Sequence, residues 1–336
     1  MPLALGRLSI IGNNESDMKN WRMVLIAGLL MCSLRIQGQT YSNLYAFSVY
    51  GGFPPANKDG ATPYSVPVLS SNILYGTSWE GGANGEGTIF SVHTDGTGFT
   101  NLHTFSALSS YPTGTNADGA QPYDGLLLSS NVLYGTAFAG GTNGWGTVFR
   151  IGIDGTGFTV LRSLNELNDG AQPRGGLILS SNTLFGTATM GGSIGFGTVF
   201  RINIDGTGFT NLHSFTAEGD GAEPQGGVVM SGTNLYGMTL GGGTNGGNGV
   251  IFTLTAAGSN FTALYTFSKY GTKGTNANGG SPYAALTVSS NSLYGVTDKG
   301  GTNGNGTVFT IGTDGSNFRL LHTFAHGATD PNISYY

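Results

Sequence analysis

Carboxylates, histidines and aromatic residues recur at fixed places in this 336-residue sequence. Asp59, Asp118, Asp169 and Asp220 each open an Asp-Gly-Ala-x-Pro motif, and Asn278 takes the same place in Asn-Gly-Gly-Ser-Pro. Asp95, Asp154, Asp205 and Asp314 each open Asp-Gly-[Thr/Ser], with Ala256-Ala257-Gly258 in the remaining copy. A calcium loop needs several oxygen ligands at alternate positions, whereas each motif here offers one carboxylate. Both sets therefore predict side chains that hydrogen-bond their own turn backbone, and no metal site is assigned. His103, His213 and His322 share a third position, held elsewhere by Arg162 and Tyr265. Equivalent positions on successive repeats lie far apart, so these histidines are not read as a ligand set.

The glycine-rich stretch Gly-Gly-Thr-Asn-Gly-Trp-Gly at 140–146 raises the question of phosphate binding. A phosphate loop opens a helix and often carries a lysine, whereas this stretch runs into Thr-Val-Phe-Arg-Ile, a strand pattern. It reads as a tight turn. No nucleophile, His and Asp stand in a triad arrangement, so no catalytic residue and no cofactor are assigned. An enzyme on this scaffold would draw on Asp124, Asp298, Glu80 and Glu86.

The residues that vary inside the repeated loops are more informative. The x of Gly-x-Gly-Thr is Glu86, Trp145, Phe196, Asn248 or Asn305. The residue closing the second strand is Trp79, Phe138, Thr189, Leu240 or Asp298, and the one after proline is Tyr64, Tyr123, Arg174, Gln225 or Tyr283. Aromatic side chains on loops serve recognition, where a ring offers an apolar face and a polar tip. Tyr64, Trp79, Tyr123, Phe138, Trp145, Phe196 and Tyr283 are therefore assigned as ligand-binding, with Trp145, set between two glycines, as the leading residue. The competing expectation is that each packs over a neighbouring repeat.

These positions belong to a unit that occurs five times, at about 59–105, 118–164, 169–215, 220–267 and 278–324. Its Leu-[Tyr/Phe]-Gly tags centre on Tyr75, Tyr134, Phe185, Tyr236 and Tyr294. In unit two, 125–129, 132–137, 147–153 and 158–164 are rich in β-branched, aromatic and leucine residues and bounded by turns, so each predicts a strand. None is long enough for an amphipathic helix. Asn-Gly and Asp-Gly suit the tight turns between antiparallel strands. Four such strands in repeating units predict an all-β fold, a β-propeller of four-stranded antiparallel blades, with five blades favoured and six the alternative. A β-solenoid is the competing architecture.

Residues 43–48, Asn-Leu-Tyr-Ala-Phe-Ser, match a fourth strand without a unit of their own. In a four-stranded blade, the loop leading into strand one and the loop joining strands two and three share a face. Lead-in loops are long in units one, two and five, at 48–58, 106–117 and 268–277. In a closed five-blade ring those units are neighbours and build one thick, tyrosine-rich side.

The unit Asp-Gly-Ala-x-Pro, Leu-Tyr-Gly-Thr, Gly-Gly-x-Asn-Gly-x-Gly-Thr-Val-Phe, Asp-Gly-Thr-Gly-Phe-Thr resembles the Gloeo/Verruco (GloVer) tandem repeat over residues 59–324. That resemblance implies an exported bacterial repeat protein of unknown biochemical role and carries no catalytic residues. Family members often end in a sorting anchor, whereas Asn-Ile-Ser-Tyr-Tyr here has neither an apolar helix nor a basic tail.

Residues 1–38 read as an upstream extension and a secretory signal peptide: a basic segment from Met18, an apolar run at 23–34, and Gly38 as the small residue at the cleavage point. The domain from 39 to 324 is followed by a short tail, 325–336, that looks like a decayed start of another unit. Cys32 is the sole cysteine, so a processed chain has neither disulfide nor thiolate. Beyond residue 38 nine Lys and Arg face sixteen Asp and Glu, a net charge of −7 with the cations scattered. Nucleic acid and anionic membrane need clustered positive charge, so neither is an expected partner, and membrane contact is expected only through the signal peptide. The expectation is a secreted or cell-surface binding or adhesion module for carbohydrate or another surface polymer, with a protein partner as a further option. A polysaccharide lyase or hydrolase and a structural envelope protein are the alternatives.

Overall fold

The computed structural model describes residues 43–325 except 53–54, 111–113, 245 and 272. The segment read as a signal peptide and tail residues 326–336 lie outside the described residues. Every unit forms one four-stranded antiparallel sheet with its strands in sequence order, giving five blades of a β-propeller. In unit two the strands are Leu127–Ser129, Val132–Ala137, Thr147–Gly152 and Thr159–Ser163, all within the predicted segments. A short hairpin, Gly51–Gly52 with Pro55–Ala56, lies in the loop leading into unit one.

Strand four is bulged against strand three in every unit. In unit two Val160 pairs with Phe149 and Arg162 with Val148, leaving Leu161 without a partner. A bulge inserts one residue and re-aims the side chains beyond it. In unit one both Leu102 and His103 therefore pack on unit two, Leu102 in the shared apolar cluster and His103 on the ring of Phe158. The core lies between the sheets: Tyr75, Ile89 and Phe105 of unit one meet Leu126, Leu133, Phe149 and Ile151 of unit two. Full burial of a phenylalanine at each boundary contributes about 2–3 kcal/mol from area alone.

Ring closure differs from the expectation. The place before unit one, which unit five would take in a closed ring, is held by residues 44–48. Tyr45 stacks on Phe99 at 3.9 Å, as His103 stacks on Phe158 at 3.8 Å one boundary later. A Cβ built on Gly96 would meet the Leu44 carbonyl, just as one on Gly155 would meet that of Leu102. Unit five in turn shows an open flank. Phe324 is 44% exposed and Tyr294 39%, whereas Phe105, Phe215 and Phe267 are at 0% and Tyr75 at 2%. A groove of about 760 Å³ lined by Tyr294, Thr310 and Arg319 lies on this flank, apart from the aromatic residues discussed next.

Candidate binding face

Each unit positions its variable residues through one strained residue. The x of Asp-Gly-Ala-x-Pro has positive φ in all five units: Thr62 56°, Gln121 58°, Gln172 57°, Glu223 58° and Ser281 52°. A non-glycine residue pays for this conformation sterically, and it persists only where its surroundings fix it. Here the backbone hydrogen bonds do so. The Gln121 amide donates to Glu86 O at 2.7 Å in the previous unit, and Gln121 O accepts from the Phe138 amide at 3.2 Å. The following proline packs on the second glycine of the previous unit's Gly-x-Gly. At Gly146, with φ 98°, a Cβ would lie 2.8 Å from Pro173 Cδ, so only glycine fits. The residue after proline and the residue closing strand two are thereby brought to one face.

On that face four rings and one cation meet. Tyr64 lies 5.4 Å from Tyr123 and 6.4 Å from Trp79, and Trp79 lies 5.2 Å from both Tyr123 and Phe138. The Arg174 guanidinium sits over Phe138 at 4.9 Å and over Tyr123 at 5.4 Å. Its Nη1 donates to Gln225 Oε1 at 3.3 Å. Units one to four thus each contribute to the cluster. Tyr64 is 60% exposed, and Trp79, Tyr123 and Phe138 are half-buried.

Of the seven residues assigned from sequence, Tyr64, Trp79, Tyr123 and Phe138 come together. Among the described residues no ring contact joins Trp145, Phe196 or Tyr283 to them. The carbonyls of Trp145 and Phe196 accept from Gln172 and Glu223 of the next units, so the backbone at these positions builds the blade boundary. Their rings are half-buried and partly exposed, respectively. The thick side expected from units five, one and two is replaced by a cluster over units one to four, because residues 44–48 rather than unit five precede unit one.

The glycine loop itself acts as a turn: Gly140, Gly141, Gly144 and Gly146 all have positive φ. Its asparagine caps strand four, Asn143 Nδ2 donating to Ser163 O at 3.2 Å.

The Gloeobacter/Verrucomicrobia repeat family model matches residues 106–279, just over half of the sequence. The chain belongs to this family. In this Gloeobacter/Verrucomicrobia repeat protein the match spans units two to four, and the same blade recurs in units one and five. No curated protein matches it. Among solved structures, it is similar to one described as a nidogen/laminin complex, at 15% identity over 78% of each chain with a TM-score of 0.46. It is also similar to the GH74 enzyme of Niastella koreensis, at 14% identity over 78% of this chain and 38% of that one, TM-score 0.46. A third similar structure is TolB from Acinetobacter baumannii, at 13% identity over 79% of this chain and 53% of that one, TM-score 0.39. Likenesses at this level carry no functional argument.

The two aspartate sets of the repeat prove to differ. Asp95, Asp154, Asp205 and Asp314 do bind their own turns, Asp154 accepting from the Thr156 amide at 3.0 Å and its hydroxyl at 2.8 Å. The Asp-Gly-Ala-x-Pro set reaches instead to the previous unit's fourth strand, which corrects the own-turn reading. Asp118 accepts from the Ser106 amide and hydroxyl and pairs with His103 Nε2 at 2.9 Å. Asp169 pairs with Arg162, Asp220 with His213 at 3.0 Å, and Asp59 with Tyr45. The chain turns back after strand four, which places the next unit's aspartate beside it. The histidine position is thus a structural clamp: its side chain meets the aspartate and stacks on the next unit's phenylalanine. Burial opposes ionisation of Asp118, but the bonds from His103 and Ser106 outweigh it and hold the carboxyl below its ordinary range.

Sequence reasoning also passed over Asn57, Asn116 and Asn276, two residues before the Asp or Asn. Asn116 Oδ1 accepts from the Gly119 and Gly141 amides at 2.9 and 2.7 Å, tying the lead-in loop to the glycine loop on one face. In units three and four the carbonyls of Glu166 and Glu218 accept the corresponding glycine amides. The recurring Asn-x-[Asp/Asn]-Gly spacing was the available signal.

The four acids set apart for an enzyme are dispersed in role. Glu80 accepts from Thr62 Oγ1 at 3.1 Å, and Asp298 is exposed. Glu86 is buried, which pushes its carboxyl up to about 7 against hydrogen bonds from Leu108 and Gln121. Asp124 lies where the blades' innermost segments approach: a Cβ on Gly175 would be 2.4 Å from Gly227 N, and one on Gly176 3.2 Å from Asp124 Oδ2. Burial raises the Asp124 carboxyl, with the Gly125 and Gly176 amides acting against that. Among the described residues no three His, Cys, Asp or Glu side chains gather as a metal site.

Proposed function

We propose that this protein is a secreted or cell-surface binding module whose ligand is a polysaccharide. The observation that carries the reading is the gathering of Tyr64, Trp79, Tyr123 and Phe138 into one partly exposed cluster on the loop face. Aromatic faces stack on the apolar faces of sugar rings, while Tyr hydroxyls supply directional polar contacts. The export signal read at 1–38 supports the location. A glycan array tests it: saturable binding is expected, lost in Trp79→Ala and kept in Trp145→Ala. Absence of binding to every glycan overturns the reading.

One observation favours a polysaccharide lyase or hydrolase as the second reading. Burial near the blade axis raises the Asp124 carboxyl, the direction of shift a general acid needs. Depolymerisation of a bound glycan, abolished by Asp124→Asn, would select it over the binding module.

A further inference from the structure

We propose that Arg174 selects a carboxylate-bearing polymer, a polyuronate, at the aromatic face; this rests on the polysaccharide-binding reading above. Arg174 carries a permanent charge in a corner walled by Tyr123 and Phe138. The ion pairs among the described residues are His103–Asp118, Arg162–Asp169 and His213–Asp220, so Arg174 has no carboxylate partner. Glu80 accepts from Thr62 Oγ1 and Asp124 from the Gly125 amide, and neither is paired with Arg174. Gln225, itself buried, accepts from Nη1, but the buried Nε has no acceptor and Nη2 makes no hydrogen bond. A buried donor without an acceptor is costly, and a guanidinium is completed best by a planar carboxylate.

Arg162 in the same protein shows the completed arrangement. Its Nε donates to Asp169 Oδ2 at 2.7 Å and its Nη2 to Asp169 Oδ1 at 2.9 Å, while its guanidinium lies 4.8 Å from the Phe209 ring. Arg174 repeats the arginine-on-phenylalanine half of this arrangement one unit later, on the loop face, and lacks the carboxylate half. A uronate's carboxylate would meet the guanidinium at Nη2, leaving the buried Nε as it is, while its sugar ring rests against Tyr64 and Trp79. Rings alone bind neutral sugars; the unpaired guanidinium is what makes the free acid the preferred form.

The test is calorimetric titration of the protein with oligogalacturonate and alginate oligomers, each as the free acid and as the carboxyl methyl ester. Esterification removes the charge and leaves the ring unchanged. The free acid should bind about tenfold tighter or more, and added salt should narrow the difference. Arg174→Gln should abolish the preference while keeping the ester's affinity, and Arg174→Lys should keep only part of it, since a point charge replaces the fork. Equal binding of acid and ester, a preference that survives Arg174→Gln, or tighter binding of a sulfated oligomer overturns the proposal. Binding of neutral glycans with no effect of Arg174→Gln sinks this inference alone; absence of binding to any glycan sinks the polysaccharide reading with it. Should Arg174→Gln fail to fold, the acid-to-ester ratio of the wild type and of Arg174→Lys still decides.

Discussion

The Gln172 amide donates to the Trp145 carbonyl at 2.9 Å, across the boundary between units two and three. Gln172 holds a φ of 57° to do so, directly before Pro173. The same bond forms at Gln121–Glu86, Glu223–Phe196 and Ser281–Asn248. This link turns a sequence position that reads as a recognition loop into a blade joint, and it sets the direction of the residue after proline. If the backbone rather than the side chain is what matters, Gln172→Gly should be neutral or stabilise by up to about 1 kcal/mol, and Gln172→Val should destabilise by more than that. Urea unfolding measures both, and a large loss for the glycine variant would contradict the joint.

The clamp between units predicts a rescue. Asp118→Asn should cost about 1–3 kcal/mol at pH 7. The depressed Asp118 carboxyl contributes stability that is present above its ordinary pKa and lost as pH falls through its lower folded value, so the penalty should shrink in acid. Unit five carries the alternative pair, with Asn278 Nδ2 donating to Tyr265 Oη at 2.6 Å. His103→Tyr combined with Asp118→Asn should therefore recover at least half of the summed single losses. Strict additivity in a double-mutant cycle would rule out the clamp.

Glu86 gives the opposite sign. Its carboxyl is raised by burial from an ordinary 4.5 to about 7. The unfolded chain ionises first as pH rises, so this group's contribution is intact below its ordinary pKa and lost as pH climbs through about 7. Glu86→Gln should leave stability unchanged near pH 4 and add on the order of 2 kcal/mol near pH 8. Thermal melts at the two pH values decide; an equal gain at both would point to packing rather than charge.

The open flank of unit five predicts unequal cores. Phe215 is fully buried between units three and four, and Phe324, its counterpart, is 44% exposed. Phe215→Ala should cost about 3–5 kcal/mol and Phe324→Ala well under half of that. Hydrogen exchange should also show unit five opening first. Comparable losses would mean that the Phe324 flank is covered in solution.

The strands, the blade count and the turn role of the glycine loop were legible because each rests on local chemistry: short runs of β-branched, aromatic and leucine residues, Asn-Gly and Asp-Gly turns, and a recurring unit. Half of the aromatic cluster's logic was legible too, since Tyr64, Trp79, Tyr123 and Phe138 stand out as variable residues in repeated loops. At Trp145 a ring between two glycines reads as exposed, and the structure adds that its carbonyl serves the joint to the next unit. Arg174 looked like a substitute for tyrosine; its place over Phe138 depends on the next blade's angle, which no local pattern encodes. The Asp118–His103 clamp joins positions fifteen residues apart across a unit boundary, and only the backbone's return after strand four brings them together.

The proposed site receives its ligand at Trp79 and its neighbours. Tryptophan fluorescence of the Trp145→Phe and Trp79→Phe variants, titrated with the best glycan from the array, tests it most directly. A saturable change in emission that persists in Trp145→Phe and disappears in Trp79→Phe is the predicted result. A change that follows Trp145 instead would place the site on the glycine loop and contradict the account.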